Sequence, residues 1–307
     1  MAMKPKNVIT LSALKHMRVA LIGMSGVGKT RLADTLRKSG DWYHYSVDYR
    51  IGSAHLAEQI NDDLRNRGMR DPVLANLLRA DALTNRAKFG FNNLDAISAF
   101  LGKLGNPASG GLALGEFMRR QEVHAAAERA AMADTAAFLE RGTRLYGYPN
   151  FVCDTSGSLC SVVDPEDPND PILSRLAARH LIIVIEPSEG DVSELMARFI
   201  ERPKPLYYSS EFFRTFAAGY LGTSRDWSAV DPDDFATWAH GALLKYRAPR
   251  YRAIGEKWGY CVPAASVKGL QSAGDFMELV RSLIQGADAG NIRTLPVQAS
   301  SSPALQP

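Results

Sequence analysis

One octapeptide constrains this chain more than anything else in it. Met17–Ile22 (MRVALI) is a short apolar run with strand character. It leads directly into Gly23-Met24-Ser25-Gly26-Val27-Gly28-Lys29-Thr30, which fits G-x-x-x-x-G-K-[ST] in full. A helix is expected to follow from about Lys29 to Lys38. Glycines at these positions let the backbone take positive φ and close on an anion without Cβ clashes. Successive N–H groups then point inward as a nest, and the helix start adds its positive dipole end. Gly23, Ser25, Gly26, Val27 and Gly28 therefore read as a phosphate cradle. Lys29 reads as the group that reaches the β- and γ-phosphates, and Thr30 as a Mg²⁺ ligand. A chance match in a Gly-rich turn is the alternative. The strand before the motif and the helix after it argue for a nucleotide triphosphate site.

The rest of the chain reads as strands alternating with helices. Strands are expected at 17–22, 42–47, 150–153, 180–185 and 258–262. Helices are expected at 53–67, 115–141, 171–178, 188–201, 210–221, 231–246 and 272–285. Asp71-Pro72 and Asp231-Pro232 each pair an N-cap with proline at the first helical position. Alternation of this kind implies a parallel sheet covered on both faces, with right-handed crossovers. The expected fold is three-layer α/β, a P-loop NTPase with a five-stranded parallel sheet of the nucleoside-monophosphate-kinase type. Residues 17–285 form its domain, 68–112 a helical insertion within it, and 286–307 (rich in Gly, Ser, Ala and Pro) a disordered tail.

Composition excludes several classes. The 307 residues are 46% apolar and 22% charged with a net charge of +3, which is neither disordered, collagen-like nor coiled-coil, and gives no global case for a nucleic-acid or membrane-surface binder. Cys153, Cys160 and Cys261 are too few for a disulfide framework and match no zinc spacing. No apolar run approaches a membrane span and no signal-peptide pattern precedes Met17, so a cytoplasmic protein is expected.

Beyond the octapeptide, several segments in order resemble the shikimate kinase family of small-molecule P-loop kinases. Gly23–Thr30 is similar to that family's compact loop. Ser46-Val47-Asp48 stands where the family has Asp-x-Asp, and Gly115-Glu116 with Arg119-Arg120 resembles its G-E-x-x-F-R segment. Arg198–Leu206 (RFIERPKPL) resembles its lid. Arg247-Ala248-Pro249-Arg250-Tyr251 resembles its late R-x-P-x-Y segment. The resemblance covers about two-thirds of the chain and implies the fold, ATP and Mg²⁺. Three departures bear on the acceptor. The family's glycine run after the third strand is Asp154-Thr155-Ser156-Gly157-Ser158 here, its first strand-end Asp is Ser46, and the 68–112 stretch falls where acceptor helices would be. The acceptor pocket is therefore expected to be rebuilt around an unidentified small molecule.

The candidate site residues follow from these positions. Asp48 closes a strand on the loop's edge of the sheet, where it can orient or deprotonate an acceptor hydroxyl, or simply cap the next helix. Asp154 closes the third strand, as a magnesium-side carboxylate or the start of an Asx-turn. Thr155, Ser156 and Ser158 can donate to substrate. Arg202 and Arg198, four apart, form a lid pair that can neutralise the transferring phosphoryl, or a solvated face beside Glu194 and Glu201. Arg247 lies in a basic run, 245–257, that can meet nucleotide phosphates, an anionic acceptor or nucleic acid, or be a solvated helix end. Arg119 and Arg120 can bind a carboxylate or face solvent. Tyr207, Tyr208, Phe212, Phe213 and Phe216 read mainly as core. The histidines are too scattered for a metal or nucleophile constellation.

Two readings of function remain open. The first is an ATP-dependent phosphotransferase acting on a small molecule. The second is a regulatory or switch-type ATPase whose insertion is a partner surface. A kinase of nucleic-acid ends rests only on the 245–257 run. No Asn-Lys-x-Asp guanine signature is present, which favours ATP over GTP.

Overall fold

Five short runs of β-branched and aromatic residues form one parallel sheet in the computed structural model, which describes residues 16–288 apart from 92 and 222–225. The strands are β1 (Arg18–Ile22), β2 (Trp42–Ser46), β3 (Asn150–Asp154), β4 (Leu181–Glu186) and β5 (Tyr260–Pro263), in the order β2-β3-β1-β4-β5. Arg18 pairs with Phe151 and Leu21 with Asp154; Ser46 also pairs with Asp154. The three central strands are apolar on both faces because helices cover both, and Val19–Ile22 and Leu181–Ile185 are buried without interruption. At the edges, Trp42 of β2 packs edge-on against Phe276, 5.8 Å between centroids.

The helices are α1 (Lys29–Lys38), α2 (Val47–Arg50), α3 (Ala57–Gly68), α4 (Pro72–Arg79), α5 (Asp95–Leu101), α6 (Leu114–Arg144), α7 (Pro171–Ala177), α8 (Glu189–Glu201), α9 (Ser210–Phe212), α10 (Ala218–Leu221), α11 (Pro232–Trp258), α12 (Ala264–Lys268) and α13 (Ala273–Asp288). Wide π turns bridge α2 to α3 and α9 to α10. The expected caps are present. Asp71 accepts from Leu74 N, Asp231 from Asp233 N and Asp234 N, and Ser188 closes a capping box with Asp191.

Four local expectations are corrected. The second strand stops at Ser46, whose hydroxyl accepts from Tyr49 N and starts a helix, so Asp48 sits in the first turn of α2 rather than at a strand end. The helix expected at 231–246 continues through Pro249 to Trp258. Proline there removes one donor, and the packing of Leu243, Leu244, Tyr251 and Ile254 in the core outweighs that loss. The insertion is helical in α4, in α5 and in a single 3-10 turn at Pro107–Ser109, and 80–94 between α4 and α5 carries no helix. The closing helix runs on to Asp288, inside the expected tail; the rest of that tail lies outside the described residues.

A second apolar cluster stands beside the main core. Tyr208, Phe212, Phe117, Phe235 and Leu243 build it, and Leu104 joins it from the end of the insertion. Most of the aromatic group expected in the core is found here, rooting the segment that follows Pro203 and Pro205.

Candidate functional site

The octapeptide bends between β1 and α1, at the carboxyl end of the sheet. Gly26 and Gly28 take φ of +88° and +106°, which L-residues rarely adopt. Gly28 caps α1 without any side-chain bond, and no acid occupies the helix's first turn, so its leading amides have no competing carboxylate. The Lys29 ammonium folds back along this bend, donating to Gly23 O at 2.7 Å and Met24 O at 3.0 Å. Burial lowers its pKa, while Asp154 and then Asp48 act in the opposite direction. Lys29 therefore lies in the field of both carboxylates, Asp154 at the end of β3 and Asp48 in the first turn of α2. Thr30 is half-buried beside it and Ser25 is exposed.

Asp154 is 4% exposed, and its Oδ1 has no hydrogen-bond partner. Its Oδ2 is 3.5 Å from His44 Nε2. A buried carboxylate oxygen without a donor is costly unless something meets it. Magnesium takes hard oxygen ligands and needs only one or two from protein, the rest coming from phosphates and water. An orphan carboxylate oxygen and a threonine hydroxyl at the phosphate loop fit that requirement. Among the described residues there is no cluster of three or more metal-ligating side chains.

Asp48 is half-buried. Burial first, then Glu128 and Asp154, raise its pKa to about 7, and Lys29 pulls the other way. A carboxyl in this range can take a proton from a hydroxyl near neutral pH. The insertion reaches this side of the site. The Phe91 ring lies 4.7 Å from that of His44 and 5.1 Å from that of Tyr49, and Phe89 closes on Gly52.

Glu128 was not expected from the sequence. It is fully buried on α6 and accepts from the hydroxyls of Ser156 and Ser158, the latter at 2.8 Å. Burial raises its pKa against those two bonds. Its neighbour His124 is held neutral, with its pKa lowered to about 4 by burial and then by Arg247. The signal available was a lone carboxylate four residues after a histidine, within the alanine face of α6. Ser156 and Ser158 thus face Glu128, and Thr155 donates to Leu21 O at 2.8 Å.

The expected arginines divide. Arg247 is buried and committed to the protein. Nε donates to Ser161 Oγ at 3.1 Å, Nη1 to Gly157 O at 3.0 Å and Nη2 to Tyr207 O at 2.9 Å. Its expected nucleotide contact is replaced by these, because the unbroken α11 turns it into the core. Three more cations of the basic run are likewise engaged. Arg250 bonds Cys160 O and Val163 O, Arg252 bonds Glu186, and Lys257 bonds Glu166. Arg119 pairs with Glu116, and Arg120 with Glu116, Asp63 and Phe100 O, so neither stands free for an acceptor carboxylate. Arg198 is exposed, 3.7 Å from Glu194 on the same helix face. Arg202 is exposed at the end of α8.

The strand order and the loop between β1 and α1 decide the architecture. It is a P-loop NTPase fold. No family model matches the chain, and no curated protein matches it. Among solved structures, the crystal structure of a shikimate kinase from Bacteroides thetaiotaomicron covers 88% of this chain and 98% of that chain, at 14% identity and a TM-score of 0.36. That similarity is too remote to carry any chemistry across. Among the described residues no helix is long and apolar enough to cross a membrane.

Proposed function

We propose that this protein is a magnesium-dependent phosphotransferase that moves the γ-phosphoryl of ATP to a hydroxyl of a small molecule. The observation that supports it best is the convergence on one sheet edge of the Lys29 loop, the orphan oxygen of Asp154 and the raised carboxyl of Asp48. Lys29 and the loop amides hold the β- and γ-phosphates. Asp154 and Thr30 hold Mg²⁺, which when bound offsets phosphate charge. Asp48 accepts the proton of the acceptor hydroxyl as its oxygen bonds to the γ-phosphorus, and the bond from that phosphorus to the bridging oxygen breaks, leaving ADP. Arg202, at the end of α8, closes over the leaving oxygen, with Arg198 one turn earlier. Rate enhancement comes mainly from positioning and charge stabilisation.

The test is ATP consumption across a panel of hydroxylated metabolites, followed by thin-layer separation of labelled products. Labelled product from the wild type, lost in Lys29→Ala, supports the reading. Consumption that survives Lys29→Ala refutes it.

One observation favours the switch-type ATPase. Helix α4 of the insertion exposes Val73, Leu74 and Leu77, at 67%, 41% and 40%, which suits a partner surface better than a solvated one. Free phosphate without any labelled product would support that reading instead.

A further inference from the structure

The four residues after β3 form a wedge between the phosphate loop and the rest of the molecule. Thr155 ties the wedge to β1 through Leu21 O, and Ser156 and Ser158 tie it to Glu128 on α6. Gly157 lies against the phosphate loop itself. A Cβ built there would stand 2.8 Å from Ser25 N and 3.0 Å from Ser25 Cα. The carbonyl of the same glycine accepts from Arg247 Nη1 at 3.0 Å and from the Tyr251 hydroxyl at 2.8 Å. The other arms of Arg247 hold Ser161 in the segment beyond and Tyr207 at the root of the aromatic segment after Pro205.

We propose that Arg247 is a positioning residue for the phosphate loop, acting through Gly157 on Ser25 and linking that loop to the 202–208 segment. Its guanidinium donates to protein acceptors from all three nitrogens. Its rigid planar fork reaches three acceptors on three chain segments, which a lysine's single ammonium cannot do. The consequence for nucleotide affinity rests on the function proposed above; the effect on loop geometry does not.

Two measurements on the full chain test this, each with wild type, Arg247→Lys and Tyr251→Phe. The tyrosine variant loses one bond to Gly157 O, keeps its ring and stands in if the arginine variant does not fold. Crystal structures without nucleotide report the Gly157–Ser25 contact. Calorimetry with a nonhydrolysable ATP analogue and Mg²⁺ reports affinity. The contact is expected to open in both variants, with affinity weakened about tenfold for Arg247→Lys and less for Tyr251→Phe. Arg247→Ala should regain affinity in millimolar guanidinium, whereas Lys29→Ala should not. A contact unchanged from wild type overturns the proposal, as does an opened contact with wild-type affinity. Absence of binding by the wild type refutes the proposed function instead, and the crystal comparison then decides alone whether Arg247 sets Ser25.

Discussion

Gly157→Ala is the sharpest single perturbation of this site. The new methyl would lie 2.8 Å from Ser25 N, 2.9 Å from Ser25 Cβ and 3.0 Å from Ser25 Cα. Ordinary carbon contacts begin near ~3.5 Å, so the overlap is roughly half an ångström or more. Two of the three atoms are backbone, and no rotamer change relieves them. The wedge cannot retreat easily, because Glu128, Arg247 and Tyr251 hold it from behind. Overpacking of this kind costs about 1–3 kcal/mol. All of the strain falls on a residue of the phosphate loop, so the expected loss is about tenfold to a hundredfold in affinity for nucleotide with magnesium, read by calorimetry. Gly115→Ala is the control. A methyl there meets nothing within 4 Å, on the first turn of α6, and should leave binding unchanged and stability level or slightly higher. Wild-type affinity in Gly157→Ala would show that the loop is not braced from this side.

Other perturbations test separate parts of the reasoning. Lys29→Ala removes two bonds that close the loop on itself and should abolish ATP turnover with only a small drop in melting temperature; a variant still turning over at the wild-type rate contradicts the assignment. Asp48 acts as a base only when ionised, so kcat/KM should rise with pH through about 7, and Asp48→Asn should remove that limb along with most activity. His180, 6% exposed, has its folded pKa lowered to about 4 by burial. A histidine depressed in the folded state adds stability above its unfolded value of ~6.5 and loses it as pH falls toward 4, by up to ~3 kcal/mol. The melting temperature should therefore fall over that window, and His180→Leu should flatten the fall; an equally steep fall in the variant refutes the sign.

Much of the fold was legible because its determinants are local. A capping side chain bonds a backbone amide two or three residues away, so Asp71-Pro72, Ser188 and Asp231-Pro232 marked helix starts correctly. The phosphate loop is eight consecutive residues whose glycines supply the positive φ that the bend requires. The continuation of α11 through Pro249 was not legible. Proline's cost is local, but the apolar packing that outweighs it comes from other elements.

The chain's own order of residues determined the strand–loop–helix unit around Lys29 and the alternation that yields a parallel sheet. Both depend on neighbours in sequence and on elementary backbone geometry. Tertiary structure alone decided what stands behind that unit. Glu128 meets Ser156 across 28 residues, and Arg247 meets Gly157 across 90. Helical spacing shows which residues share a face, not which face is buried. A guanidinium or a carboxylate suits solvent as readily as a protein partner, until folding supplies the acceptors or hydroxyls that hold it inside.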